Sequence, residues 1–358
     1  MKNYLLLLIF ITLSIYSCVP PQNKSKGKGD INLSDKITQA IFNYSIDQNE
    51  DSLVTYLNHE DINYQLLALQ GYASFTDAKY KDKIAEKLSA ASIDISSAAA
   101  YVLGQIGDSS HVEILMESFR GQDSTNVDNI HNHNILEAIG KIGTSDQAEK
   151  IATVTTYRPT DSLLTLGQIR SLYRFCTRGI VPNATIETAL KYVESNRYKE
   201  PVRLVAAHIL SRSKDVDLSQ HGERISTALD KESDEAIKMA LISALGKAKT
   251  ENVKNKLIAI ALGQGDERSK VNAIKALSSY KDDVAILDTL RSLIASNSIH
   301  MAESYADMLY ASNAAGMYVR LNDMIPSINS PRIKARLLQA QMKNTSLGMA
   351  NSKTSIQE

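Results

Sequence analysis

Arg170, Arg174 and Arg178 stand at i, i+4 and i+8 of a segment with helical spacing of its apolar residues, so one helix face carries three guanidinium groups. Guanidinium forks match carboxylates and phosphates. The row reads as a binding site for an anion or a carboxylate-bearing peptide, and Arg203 on a following helix extends it. The alternative is a solvated face paired with acids on adjacent helices, with Arg203 capping or bridging between them.

Other residues with chemical capacity form weaker constellations. His131-Asn132-His133 has the spacing of two metal ligands on an extended segment, with Asp123 and Asp128 upstream. No cluster of Cys, Asp or Glu accompanies the pair, and the segment reads as a polar loop with no metal. His208 lies in an apolar run and reads as a hydrogen-bonded core histidine. Cys176 occupies a small-residue position and reads as a buried structural thiol rather than a nucleophile. Gly263-Gln264-Gly265 lacks the Lys-Ser/Thr of a phosphate loop and ends a helix. No nucleophile, base and orienting group come together, and no spaced carboxylate pair stands out from surface charge. The expectation is a chain with no catalytic residue, no metal and no cofactor, and not an enzyme.

The elements that would position these residues repeat along the chain. Ala98–Asp108 reads AAAYVLGQIGD, and variants of it return as EAIGKIG at 137–143, AAHILS at 206–211, ALISALGK at 240–247 and AIKALS at 273–278. The shared position falls at Ala73, Gly104, Gly140, Cys176, Ser211, Gly246, Ser278 and Tyr310, with gaps of 31–36 residues. That period holds two helices and two turns. Small residues there let the next helix approach closely. Between these runs lie segments with a single apolar stripe, such as Val253, Leu257, Ile260 and Ala261. Ser34-Asp35, Ser52, Asp161-Ser162 and Ser233-Asp234 supply helix starts, and Pro201 and Pro331 fit a first helical turn. A lone helix pair cannot bury its own apolar face, but stacked pairs can. The expected fold is all-α: an α-solenoid of about eight to nine helical hairpins in one right-handed superhelix over residues 34–345, without a domain break. The turns lengthen at Gly121–His133 and Thr155–Asp161, and a polar tail occupies 346–358. No period-2 alternation points to strands.

The 358 residues carry 40 basic and 40 acidic side chains, a balance that excludes a general nucleic-acid binder. Met1–Cys18 opens with Lys2 and an apolar run of 13 residues over Tyr4–Tyr16, short of the roughly 20 needed to span a bilayer. It ends in Ile15-Tyr16-Ser17-Cys18, which resembles the bacterial lipoprotein cleavage box. The resemblance implies a signal peptide over 1–17 and lipid on Cys18. The alternative is an ordinary secretory signal with an incidental cysteine. Residues 18–33, including PPQNKSKGKGD, form a flexible tether. With Cys18 lipidated, only Cys176 remains a thiol, so no intrachain disulfide is expected. The expected location is the periplasmic face of the outer membrane.

Pro201-Val202-Arg203-Leu204-Val205-Ala206-Ala207 resembles the start of a HEAT inner helix. AYVLGQIG at 100–107, EAIGKIG at 137–143 and SLYRFCTRGI at 171–180 resemble a group of Bacteroidetes lipoproteins. In that group HEAT repeats precede a cyclophilin-type peptidyl-prolyl isomerase domain. The resemblance covers about residues 30–345. No stretch here has the strand-rich, Gly- and Phe-rich character of a cyclophilin barrel, so no catalytic residue of that group is carried over. Three functions are left standing by the residues. The first is a lipid-anchored scaffold presenting a concave face to a protein or peptide partner in the cell envelope. The second is the substrate-capturing module of an isomerase system, and the third is a purely structural envelope protein.

Overall fold

The computed structural model describes residues 32–121 and 129–354, with side chains through residue 344. The signal segment 1–17, Cys18, all of the tether but its last two residues, Asp123, Asp128 and the end of the tail lie outside the described residues. Contacts divide the chain into two compact units, Met1–Gly71 and Tyr72–Glu358.

In the first unit, α1 (Lys36–Ile46) starts at Asp35, whose carboxylate accepts from the Thr38 amide at 2.8 Å. This is the Ser34-Asp35 start expected from the sequence. The Tyr64 hydroxyl donates to the same carboxylate at 3.0 Å. The short α2 (Glu50–Leu53) continues as a 3-10 turn over Val54–Asn58. Its cap is Asn49 rather than Ser52: the Asn49 side chain accepts from the Ser52 amide at 3.1 Å. Then α3 (Ile62–Tyr72) returns. A Cβ on Gly71 would lie 2.2 Å from the Ser45 hydroxyl and 3.2 Å from its Cβ, so α3 passes close to α1 here.

The second unit is an all-α solenoid of HEAT-like character. Its described residues form eight hairpins and no strand. In order they are α4 (Lys81–Ala85) with α5 (Ile93–Ile106), α6 (Val112–Glu117) with α7 (Asn129–Ile142), α8 (Ser145–Ala152) with α9 (Ser162–Thr177), and α10 (Asn183–Val193) with α11 (Glu200–Arg212). They continue as α12 (Gly222–Lys231) with α13 (Glu235–Leu245), α14 (Glu251–Leu262) with α15 (Glu267–Leu277), α16 (Val284–Thr289) with α17 (Ile299–Ala311), and α18 (Met317–Met324) with α19 (Pro331–Thr354). The second helix of each hairpin packs on the second helix of the next, from α5 through to α19. These inner helices are buried on most sides, as in α5, where Ile95, Ala99, Ala100, Val102, Leu103 and Ile106 are all in the core. The outer helices bury one stripe, as in α12, where Ile225, Ala228 and Leu229 are buried while Glu223, Thr227 and Lys231 face solvent.

The small-residue column explains how the inner helices stack. A Cβ on Gly104 of α5 would lie 2.8 Å from the Ala138 Cα of α7. A Cβ on Gly140 of α7 would lie 2.5 Å from the Ser171 carbonyl oxygen of α9, and one on Gly246, at the end of α13, 3.0 Å from the Ala276 Cα of α15. Cys176 and Ser211 fill the same column with slightly more volume. Tyr310 departs from it, and the Arg336 guanidinium lies 3.9 Å from its ring centroid.

A second device recurs at the helix ends. Arg178 donates to the Gly140 carbonyl at 3.2 Å, Lys247 to the Leu210 carbonyl at 3.1 Å, and Lys343 to the Tyr310 carbonyl at 3.0 Å. Each cation comes from a later inner helix or the residues just past its end, and reaches back to the C-terminal carbonyls of the helix before it. Those carbonyls have no intrahelical partner and carry the negative end of the helix dipole. The long turn after α8 is pinned from below. Buried Gln168 donates to the Ile151 and Val154 carbonyls at 2.7 and 2.9 Å and accepts from the Tyr192 hydroxyl.

Two expectations about loops change. His131, Asn132 and His133 are buried in the first turns of α7, not in a polar loop. The α19 backbone stays helical to Thr354, past the expected end of the repeats at 345. Among the described residues no helix is long and apolar enough to cross a membrane.

Candidate functional site

Side chains of the inner helices α7 and α9 converge on one carboxylate, Glu137 of α7. Arg174 of α9 donates to its Oε1 from Nε at 3.2 Å and from Nη2 at 2.7 Å. Arg170, one turn earlier on α9, places Nη1 3.6 Å from Oε2, and Lys141, one turn later on α7, lies 3.8 Å from Oε1. Burial alone would raise the Glu137 carboxyl, but the Arg174 hydrogen bonds and the charges of Lys141, Arg174 and Arg170 hold it below the ordinary carboxylate value. Burial and the Arg174 charge press Lys141 down, against the pull of Glu137. The glutamate side chain is 15 % exposed, whereas those of Arg170 and Arg174 are 43 % and 42 % exposed. Three cations thus surround a single anion, and the two arginines remain open to solvent.

His133 supports this cluster from below. Its Nδ1 lies 3.2 Å from the Leu163 carbonyl, so Nδ1 carries the proton and Nε2 accepts from Arg170 Nη1 at 3.2 Å. Burial, and then the Arg170 charge, push the imidazole below its ordinary value, despite opposing contributions from the Leu163 carbonyl and Glu137. The neutral ring therefore orients Arg170 rather than competing with it. His131, two residues away, points to the Ser118 carbonyl at 3.0 Å. Positions i and i+2 of a helix diverge, so the two imidazoles do not share a ligand position. Among the described residues no group of three His, Cys, Asp or Glu side chains is placed to hold a metal ion.

Aromatic groups flank the cations. Lys141 Nζ sits 5.1 Å from the Tyr101 ring centroid of α5. Arg212 of α11 donates to the Tyr173 hydroxyl at 3.2 Å, and the Tyr173 ring lies 6.4 Å from His208. Tyr101, Glu137, Tyr173 and His208 each stand three residues before the small-residue column, so they form one row across four inner helices. Lys141 and Arg212 stand one residue after it.

The four arginines singled out in the sequence separate. Arg170 and Arg174 face solvent in the cluster. Arg178 is spent on the Gly140 carbonyl and stacks over Phe175 at 5.6 Å. Arg203 is not part of the row. It donates to both Glu232 oxygens at 3.0 Å and to the Tyr198 carbonyl at 2.9 Å, with its side chain only 11 % exposed and that of Glu232 5 % exposed. That is the bridging alternative. Cys176 is buried, and burial pushes its thiol up, against a hydrogen bond from Ser213. Gly263 ends α14, as expected.

Sequence reasoning missed Glu137, Lys141, Tyr101 and Arg212, and weighed His133 only as a metal ligand. The signal was present in the repeat register: once the small-residue column is aligned, an aromatic or charged residue recurs three places before it in four successive repeats.

The chain matches no protein-family model and no curated protein. Among solved structures it is similar to human deoxyhypusine hydroxylase in complex with glycerol, at 15% identity and a TM-score of 0.32, over 76% of this chain and 98% of that one. That neighbour is an enzyme by its title, which overturns the expectation that this chain is not one. At that TM-score the likeness transfers no activity. The chain is a helical repeat protein whose inner helices carry a row of aromatic and charged side chains.

Proposed function

We propose that this chain is a lipid-anchored helical-repeat scaffold of the cell envelope that binds a protein or peptide partner through the exposed row of its inner helices. The observation that carries the reading is the Arg170–Arg174–Lys141 cluster around Glu137, which has more positive than negative charge and whose two arginines stay open to solvent. Stacked repeats offer extended surfaces of this kind to partners. The resemblance of AYVLGQIG, EAIGKIG and SLYRFCTRGI to Bacteroidetes lipoproteins supports the envelope setting, as does the Ile15-Tyr16-Ser17-Cys18 box.

The arginine double variant Arg170→Ala/Arg174→Ala tests the binding reading. Affinity capture from detergent-solubilised envelopes is expected to recover a defined partner with the unaltered chain and to lose it, by about tenfold or more in yield, with the variant, because each charge-assisted hydrogen bond contributes roughly 1.5–3 kcal/mol. Recovery that is indifferent to both arginines would sink the reading. The anchor is tested separately. Cys18→Ala is expected to shift the protein from the membrane pellet to the soluble fraction, since stable attachment depends on the acyl chains. Membrane association that persists in this variant would show that Cys18 is not the anchor.

A further inference from the structure

We propose that the ligand of this row is an extended acidic segment whose carboxylates recur at every third residue. The inference rests on the scaffold reading above and specifies its partner. The site already holds a carboxylate: Glu137 sits between Arg174 and Arg170, so the guanidinium pair accommodates this group in this geometry. Cations recur on three consecutive inner helices, as Lys141 on α7, Arg170 and Arg174 on α9, and Arg212 on α11. Packed helices lie about 8–10 Å apart. In the polyproline II form of an extended chain, three residues span about 9 Å and return the side chain to the same face. One carboxylate per helix therefore matches a segment with acids at i, i+3 and i+6.

The aromatic row favours a backbone over a free anion. Tyr101, Tyr173 and His208 alternate with the cations and offer flat apolar surface to the residues between the acids. Charge also ends the site. The opening over α13, α15 and α17 is lined by Glu235, Asp266 and Glu267 against the one arginine Arg268, a balance that disfavours a continuing acidic chain. The segment that fits is thus short, and it spans α7 to α11.

Fluorescence anisotropy with the full-length chain tests this. The two labelled probes are a ten-residue peptide with Glu at every third position among Ser and Ala, and a peptide of the same composition with its glutamates clustered at one end. The spaced peptide is expected to bind about tenfold more tightly than the clustered one, and to weaken as salt rises. Arg212→Gln, an exposed position, is expected to weaken the spaced peptide about three- to tenfold, and Lys141→Gln to act similarly. Equal affinity for the two peptides, or no loss in Arg212→Gln with its helical content intact, overturns the inference. If neither peptide binds while the captured envelope partner still depends on Arg170 and Arg174, the acidic-segment inference is wrong and the scaffold reading stands. If the captured partner ignores those arginines, the scaffold reading fails on its own account.

Discussion

Gly140→Leu is expected to destabilise the second unit by about 1–3 kcal/mol or more, because overpacking a tight helix contact forces backbone shifts. Even the first carbon of the new side chain would meet Ser171 of the next inner helix at three backbone atoms, the nearest at 2.5 Å. No rotamer avoids this, since the clash lies at Cβ. Gly104→Leu meets the same obstacle at Ala138, with the nearest atom at 2.8 Å. Solenoid stability is shared between neighbouring hairpins, so the loss should appear as a lower denaturant midpoint and earlier exposure of the α7–α9 amides in hydrogen exchange. An unchanged midpoint would mean that the inner helices tolerate separation and that the small-residue column is not a packing requirement.

The second large effect is expected at Arg203 and Glu232. Both side chains are nearly excluded from water, and Glu232 also accepts the Ser233 and Asp234 amides at 2.9 Å each. Glu232→Ala leaves the guanidinium buried without its anion and strips the turn before α13 of its acceptor, at an expected cost of about 3–5 kcal/mol. The double variant Arg203→Met/Glu232→Leu removes both charges and should regain much of that loss. A single variant as stable as the unaltered chain would show the pair to be superficial. The same carboxylate predicts a pH response. Burial would raise Glu232, but the Arg203 hydrogen bonds and the two amides hold it below the ordinary value of 4.5, and Glu137 is likewise depressed. The unfolded chain binds these protons first as pH falls, so the stabilisation is full above the unfolded value and drains away through the lower folded values. The unaltered chain should lose stability as pH falls from about 5 through the depressed folded values of these two carboxyls. Glu232→Gln should show a shallower loss over that window in denaturant titrations.

The repeat itself was legible in the residues. Small residues at 31–36-residue intervals, with a one-striped helix between them, are a direct consequence of stacking hairpins, and the structure places Gly104, Gly140 and Gly246 at close helix contacts. Helix starts at Asp35, Asp234 and Pro331 were equally local, because a cap depends on a few adjacent atoms. The His131-Asn132-His133 segment was not legible. Its polar composition suggested a loop, but its side chains bond carbonyls at Ser118, Arg120 and Leu163, supplied by chain 12 to 30 residues away. Burial of polar groups is decided by such distant partners, which no local pattern records.

The functional row divides in the same way. Spacing alone set Arg170, Arg174 and Arg178 on one helix face, since the helical period is intrinsic to the backbone. Only the tertiary structure decided their fates. Arg174 met Glu137 from 37 positions away, Arg178 met the end of the preceding inner helix, and Arg203 was drawn into a pair with Glu232 on the next turn of the solenoid. A charge's partner is fixed by what the neighbouring hairpin presents at that depth. The sequence by itself therefore determined the period, the inner and outer helices and the faces on which the cations lie, while stacking chose which cations remain open to a ligand.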